Sequence, residues 1–295
     1  MWFHLRLLEN CNLKCVSCYA REHDRTQAMS FPVFKDMLKT IRQVKGQDDQ
    51  MSVIYLSGGE PLLHPRFFEF LKHCFAQFDR VSILTNGILV PKSIKRFTPY
   101  REKLCVQISL DGDEPVNDQI RGQGVYKKAV HALNVLNDHN IRHGISYTVS
   151  QVNKHCYPDI LRVARETDSL FNNVTPYVGD PKQMLDYFEW KEFKYLYDKY
   201  AQELGMAMAH SPNCCGFNYN CGAFFSGVTV NPDGSTARCA RINNVKGHYT
   251  DMQKFLLPRP LSIIETCMRE KWGGIQQFDV IHSLEEQESI HVRTA

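Results

Sequence analysis

Three cysteines lie close together near the start of the chain, at Cys11, Cys15 and Cys18. They follow a short apolar run at residues 2–8 that is typical of a β-strand, so we expect one loop to carry all three thiols. Cysteine thiolates are the usual ligands of iron–sulfur clusters. A cubane has four irons, so a three-cysteine loop leaves one iron open to a small molecule. Zinc is the competing metal, but a structural zinc site closes with four ligands at other spacings.

Three further motifs follow in order along the chain: Ser57-Gly58-Gly59-Glu60-Pro61, Thr85-Asn86-Gly87 and Ser109-Leu110-Asp111-Gly112. Together with the Cys-x3-Cys-x2-Cys loop, they resemble the radical S-adenosylmethionine (SAM) superfamily over roughly residues 3–180. The chain departs from that family at Ser17, where many members carry an aromatic residue that packs near adenine. The resemblance therefore leaves Tyr19 as the candidate for the adenine contact.

The resemblance implies a [4Fe–4S] cluster on Cys11, Cys15 and Cys18, with SAM chelating the fourth iron through its amino and carboxylate groups. In the family, one-electron reduction cleaves SAM to methionine and a 5′-deoxyadenosyl radical, which abstracts hydrogen from unactivated carbon. The cofactor carries this chemistry, and the protein orients it. The implied partner is an external one-electron donor of the flavodoxin or ferredoxin type.

The second motif supplies four candidate SAM-binding residues. Gly58 and Gly59 allow the backbone to approach a ligand closely, because glycine has no Cβ. By resemblance, Glu60 accepts a hydrogen bond from the SAM ammonium group, and Pro61 fixes the exit of the turn.

Further candidates follow the predicted fourth and fifth strands. Ser109 and Asp111 are expected to meet the ribose or the methionine end of SAM, although Asp111 alone is also compatible with capping a turn. Arg121 resembles a family arginine near the SAM carboxylate, and the alternative is a surface arginine. Asn153 resembles an asparagine that often follows the fifth strand.

Hydrophobic periodicity predicts strands that alternate with helices. The strands are expected at residues 2–8, 51–56, 81–84, 104–110, 144–149 and 173–178, and the helices near 30–45, 65–78, 127–139 and 159–167. This alternation indicates βα units and an α/β fold with a parallel sheet, namely an open, partial (βα)6 barrel. Each motif directly follows a predicted strand, and loops at the carboxyl ends of barrel strands build active sites.

The composition limits the function classes. The 295 residues are 43% hydrophobic and 23% charged, which is typical of a globular protein, and a net charge of +3 gives no reason to expect nucleic acid or a membrane as partner. His4 and Arg6 interrupt the N-terminal apolar run, so it is not a signal peptide. Eleven cysteines without an export signal favour reduced thiols and a cytoplasmic protein over a disulfide framework.

Helical periodicity stops at about residue 205, so we predict a barrel domain at 1–205 and a small cysteine-rich domain at 206–295. Within it, Asn231-Pro232-Asp233-Gly234 predicts the turn of a β-hairpin. The segment resembles the opening of SPASM and Twitch domains, which hold auxiliary clusters, but lacks the further cysteine run of a full SPASM domain. The resemblance implies one auxiliary [4Fe–4S] cluster, and a zinc knuckle is the alternative. Its expected ligands are Cys221, Cys239, Cys267 and one of Cys214 or Cys215, with Cys215 as the assigned ligand.

The adjacent cysteines Cys214 and Cys215 are unlike the others. Successive side chains of an extended segment point to opposite faces, so we expect one of the two to bind the cluster and the other to be free. A free thiol near a substrate radical is a candidate hydrogen-atom donor, which would be the catalytic group of an epimerase. The alternative is a buried, inert cysteine.

The resemblance implies an enzyme that modifies a carbon centre of a peptide, with epimerisation or cross-linking as the outcome. The chain starts directly at the first strand, so we expect the barrel or a separate leader-peptide-binding protein to hold the peptide. The alternatives are a small-molecule dehydrogenase or epimerase acting on a sugar or aminoglycoside, and a non-enzymatic zinc or iron–sulfur binding module.

Overall fold

The computed structural model describes residues 2–18, 26–45, 53–203, 227–239 and 242–252. The chain divides into two compact units, of which the first comprises Met1–Pro212 with Gly222–Leu257, and the second comprises Asn213–Cys221 with Pro258–Ala295. Every described residue belongs to the first unit. The predicted boundary at residue 205 therefore stays a prediction.

One sheet organises the described residues, in the order β6-β5-β4-β3-β2-β1-β7-β8-β9. Strands β1 to β6 pair in parallel, which confirms the predicted parallel sheet of six strands. Their bounds are Trp2–Arg6 (β1), Val53–Ser57 (β2), Arg80–Thr85 (β3), Leu104–Ser109 (β4), Arg142–Val149 (β5) and Asn172–Pro176 (β6).

The helices in the described ranges connect these strands and follow the last of them. Their bounds are Phe31–Lys45 (α1), Phe67–Phe75 (α2), Val90–Phe97 (α3), Glu114–Arg121 (α4), Val125–Asp138 (α5), Tyr157–Glu166 (α6) and Tyr187–Glu203 (α7). Helices α1, α2, α5 and α6 lie where the sequence predicts them. Among the described helices, none is both long and apolar enough to cross a membrane.

Helix α4 was not predicted, and it carries Arg121. It has only 8 residues, too few for the apolar period to show. Its start is fixed locally, because the Asp113 side chain accepts from the Val116 amide at 3.1 Å. Gly122, at φ +114°, ends the helix directly after Arg121.

The two faces of the parallel sheet differ in polarity. In-register positions on one face are apolar and fully buried: Leu5, Leu56, Ile83 and Val106. The alternate positions face the other way and include polar side chains. There, Gln107 donates to Ser82 Oγ at 2.8 Å, and Asn173 donates to Gln107 Oε1 at 3.0 Å. The apolar face forms the core, and the polar face lines the inside of the partial barrel.

The sheet continues beyond β1 on its other side. Strand β7 (Gly227–Val230) pairs in parallel with β1, and β8 (Ser235–Cys239) and β9 (Ile242–His248) follow antiparallel. The predicted hairpin turn is confirmed, because the Asn231 amide donates to Ser235 O at 2.9 Å and Gly234 has φ +87°. Cys239 is the last residue of β8. The other predicted auxiliary-cluster residues lie outside the described residues: Cys214, Cys215, Cys221 and Cys267.

Candidate active site

The cysteine loop follows β1 at the carboxyl end of the parallel strands. After β1 the chain passes the end of β2, where the Leu7 amide donates to Ser57 O at 2.8 Å. The thiols of Cys11, Cys15 and Cys18 are all partly exposed. Within the loop, the Cys18 amide donates to Cys15 O at 3.3 Å, which closes a tight turn. The predicted single loop carrying the three thiols is therefore present.

Electrostatics shows that the three thiols act on one another. Burial raises the pKa of Cys11, the Leu13 amide on its sulfur at 3.4 Å lowers it, and the Cys15 and Cys18 thiolates raise it again. Burial likewise raises the pKa of Cys15, and the Arg121 guanidinium opposes that shift. Without a metal, the Cys11 and Cys15 thiols therefore resist ionisation. A cationic metal centre would reverse this, because it binds the thiolate form.

These residues fit an iron–sulfur cluster by donor type and by their common loop. Across the described ranges, no three His, Cys, Asp or Glu side chains lie close enough together to hold one metal ion. A cubane does not require that spacing, because each cysteine binds a different iron.

The two motif glycines press against the chain that enters the loop. A Cβ on Gly58 would lie 2.3 Å from Leu8 O, and one on Gly59 would lie 2.3 Å from Asn10 O. The Gly59 amide donates to Leu8 O at 2.7 Å, and the Glu60 amide donates to Asn10 O at 2.8 Å. The close approach seen here is therefore to the chain before Cys11, and the expected approach to a ligand stays a prediction.

Glu60 joins the second motif to the third. Its side chain is fully buried and accepts from Thr85 Oγ1 at 2.7 Å, the Asn86 amide at 2.9 Å and the Leu62 amide at 3.1 Å. Burial raises the pKa of Glu60 to about 7, although these hydrogen bonds favour the ionised form. The predicted contact with the SAM ammonium group is untested. Pro61 begins the 3₁₀ turn Pro61–Leu63, as expected for a residue that sets the exit of the motif.

Asn86 was not predicted as a site residue, although its motif was recognised. It is 6% exposed, and its side-chain amide donates to Asn12 Oδ1 at 2.8 Å and lies 3.9 Å from Cys11 Sγ. Its place directly after β3 was the available signal. Asn86 thus links the third motif to the cysteine loop.

Asp111 and Arg121 form a buried ion pair beside the cysteine loop. Arg121 Nη2 lies 2.7 Å from Asp111 Oδ2, and the side chains are 13% and 3% exposed. Asp111 Oδ1 accepts from the Thr148 amide at 3.0 Å. Arg121 is therefore no surface residue, and Asp111 holds β5 and α4 rather than a local turn.

Arg121 is also close to the cysteines. Burial lowers the pKa of Arg121, but the Asp111 carboxylate and the Cys15 and Cys18 thiolates outweigh it and raise that pKa overall. The Val16 amide donates to Ile120 O at 2.9 Å, so the loop rests on the end of α4. Arg121 Nε is buried, with no hydrogen-bond partner in the described part of the chain. That orphaned donor fits a ligand acceptor at this place.

The remaining predicted residues have different surroundings. Ser109 is half-buried at the end of β4, opposite Ser146 of β5. Asn153 is fully buried and donates to Asp111 O at 2.8 Å and Thr148 O at 3.0 Å, so it braces the ends of β4 and β5. Tyr19 lies outside the described residues.

Comparison with known proteins identifies the family. The model of the radical SAM superfamily matches residues 5–164, more than half of the chain. This chain belongs to the radical SAM superfamily. The cofactors of that family are a [4Fe–4S] cluster and SAM.

Two relatives indicate how distant its known neighbours are. The antilisterial bacteriocin subtilosin biosynthesis protein AlbA of Bacillus subtilis is 25% identical over 249 residues, which are 79% of this chain and 53% of AlbA. The Fe-coproporphyrin III synthase of Methanosarcina barkeri is 30% identical over 165 residues, 54% of this chain and 40% of the synthase. The chain thus spans about half the length of these relatives or less.

A solved structure shows the same fold. Native anSMEcpe with bound AdoMet and the Cp18Cys peptide has a TM-score of 0.70 and 19% sequence identity, and the match covers 94% of this chain and 84% of anSMEcpe. At this identity, the likeness supports the fold and does not identify a reaction.

Proposed function

We propose that this protein reductively cleaves SAM and uses the 5′-deoxyadenosyl radical to modify a carbon centre of a peptide. The observation that carries the first half is the convergence of three strand-end motifs on one cysteine loop. Asn86 reaches the loop from β3, Arg121 from the helix after β4, and the amides of Gly59 and Glu60 from β2.

Cys11, Cys15 and Cys18 would hold the cluster, which supplies the electron that cleaves SAM. Arg121 keeps a positive charge beside these thiols, because a guanidinium does not deprotonate in proteins. Its Nε is a donor for the carboxylate of SAM. Asp111 holds the guanidinium through Nη2, so this donor is held in place before SAM binds. Glu60, Ser109 and Tyr19 remain proposed contacts of SAM.

The peptide substrate is supported by two neighbours. AlbA is by name a bacteriocin biosynthesis protein, and anSMEcpe is described with a bound peptide. Epimerisation and cross-linking are the proposed outcomes, with the barrel or a separate leader-peptide-binding protein holding the peptide. The electron donor is proposed to be a flavodoxin or a ferredoxin.

A small-molecule substrate is the second candidate, because the relative from Methanosarcina barkeri is by name a synthase of Fe-coproporphyrin III. Mass spectrometry of the short open reading frame product encoded beside this protein, produced with and without it, separates the two. A change in the mass or stereochemistry of that product supports a peptide substrate. An unmodified peptide, with active SAM cleavage, supports the small molecule.

We also propose one auxiliary [4Fe–4S] cluster, with Cys221, Cys239, Cys267 and one of Cys214 or Cys215 as ligands. Anaerobically reconstituted protein should then hold about eight irons per chain. About four irons with bound zinc would instead establish the zinc knuckle.

The remaining thiol of the pair Cys214 and Cys215 is proposed to donate hydrogen to the substrate radical. The test replaces each by alanine and runs the reaction in deuterated water. A variant that keeps iron and SAM cleavage but loses deuterium in the product identifies the donor. If both variants only lose iron, or neither alters the product, oxidation or cross-linking replaces epimerisation, with the auxiliary cluster as electron acceptor.

A further inference from the structure

Arg6 connects two parts of the described chain that are far apart in sequence. It is the last residue of β1, and its side chain is 2% exposed. Its Nη2 lies 2.6 Å from Glu9 Oε2, and its Nη1 donates to Asn231 Oδ1 at 3.2 Å. Glu9 lies two residues before Cys11, and Asn231 directly follows β7. One buried guanidinium therefore contacts both the entry to the cysteine loop and the β7–β8 turn.

The entry to the cysteine loop, residues 7–10, is called the stem here. Backbone hydrogen bonds from the second motif fix one side of it, through Leu8 O and Asn10 O. Arg6, which contacts the β7–β8 turn at Asn231, contacts the stem at the Glu9 side chain. Glu9 is 5% exposed, so this point is closed to solvent.

The β7–β8 turn holds Asn231 firmly. The Asn231 amide donates to Ser235 O, and its side-chain amide donates to Ser235 Oγ, both at 2.9 Å. The turn thus fixes the Asn231 backbone, and the side-chain Oδ1 accepts from Arg6. Because Arg6 is a buried cation, its hydrogen bond to Asn231 is charge-assisted, and such bonds are stronger than bonds between neutral groups.

We propose that Arg6 is a positioning residue that transmits the geometry of the β7–β8 turn to the cysteine loop through Glu9. The strand that leaves this turn ends at Cys239, so the device joins the two cysteine-bearing parts of the chain. It rests on the proposed cluster at Cys11, Cys15 and Cys18.

Replacing Arg6 or Glu9 would break a buried ion pair and threaten folding. The test therefore uses Asn231→Ala, with Asn231→Asp to restore an acceptor for Arg6. Ser235→Ala is the matched control, because it removes the other side-chain bond of Asn231 and leaves the Arg6 contact in place.

The first readout is the rate at which iodoacetamide alkylates Cys11, Cys15 and Cys18 in metal-free protein, measured by mass spectrometry. Asn231→Ala should speed alkylation about tenfold, the equilibrium effect of one charged hydrogen bond. Asn231→Asp and Ser235→Ala should match the wild type. The second readout is the affinity for SAM after anaerobic reconstitution. The Kd for SAM should rise only in Asn231→Ala.

Alkylation at the wild-type rate in Asn231→Ala overturns the proposal, and so does an equal acceleration in Ser235→Ala. If Asn231→Ala melts at a lower temperature than Ser235→Ala, the alkylation rate of Asn231→Asp separates lost positioning from general destabilisation. An Asn231→Asp variant that does not return to the wild-type alkylation rate also overturns the proposal. The alkylation is measured without metal, so it is independent of the proposed function. That function fails separately, if the reconstituted wild type binds no more iron than the Cys15→Ala variant.

Discussion

The guanidinium of Arg121 lies 2.7 Å from the carboxylate of Asp111, with both side chains nearly buried. The pair joins the helix after β4 to the end of that strand, beside Cys15 and Cys18. Within the described structure, the Nε of this guanidinium is buried and has no hydrogen-bond partner. The pair therefore leaves a donor for a ligand while it connects α4 to the end of β4.

Replacing Arg121 by lysine keeps the charge and loses the planar fork. We expect the Kd for SAM to rise about tenfold with unchanged iron content, because lysine cannot both pair with Asp111 and reach a carboxylate in the same geometry. Equilibrium binding of SAM to reconstituted protein measures this. The matched control is Arg162→Lys in the exposed pair with Asp159, at 2.9 Å, which should change nothing. Equal SAM affinity in the two variants would contradict a role for Arg121 in binding.

Glu60 should make stability fall as pH rises. Its pKa is about 7 in the folded protein, against an ordinary value of 4.5, so the folded state binds more protons between these two pH values. The free energy of unfolding should drop through about pH 4.5 to 7 by about 3 kcal/mol and level off above that range. Denaturant unfolding of metal-free wild type and Glu60→Gln, compared across this range, isolates the contribution. If the free energies of unfolding of the two proteins change in parallel with pH, Glu60 has an ordinary carboxyl pKa in the folded protein, which would contradict the prediction.

Gly59→Ala should disrupt the cysteine loop through its stem. The added Cβ would lie 2.3 Å from Asn10 O, a backbone atom that cannot rotate away. We expect about 2–4 kcal/mol of destabilisation and a loss of bound iron. Gly124→Ala is the control, since Gly124 has φ +73° and, apart from its chain neighbours, no atom of the described residues lies within 4 Å of its Cβ position. That variant should lose about 1 kcal/mol from backbone strain and keep its iron. If Gly59→Ala retained its iron, the cysteine loop would tolerate displacement of the stem, and this prediction would be wrong.

The six parallel strands could be predicted because short apolar segments alternate with segments of helical hydrophobic periodicity. Each such pair of neighbouring segments indicates one βα unit. The sequence did not predict α3 and α4, which have 8 residues each and too few turns for a period. Asn86 was overlooked because a motif places a residue after a strand without showing which neighbour its side chain reaches. The contact between Arg6 and Asn231 spans 225 positions, and no local pattern encodes it.

Cys11, Cys15 and Cys18 are together expected to support SAM cleavage. The direct measurement is 5′-deoxyadenosine formation by anaerobically reconstituted protein with dithionite and SAM. The wild type and Cys105→Ala, which removes a partly exposed thiol on β4 outside the loop, should both form it. The variant with Cys11→Ala, Cys15→Ala and Cys18→Ala should form none. Product from that triple variant, or none from iron-loaded wild type, would contradict the account.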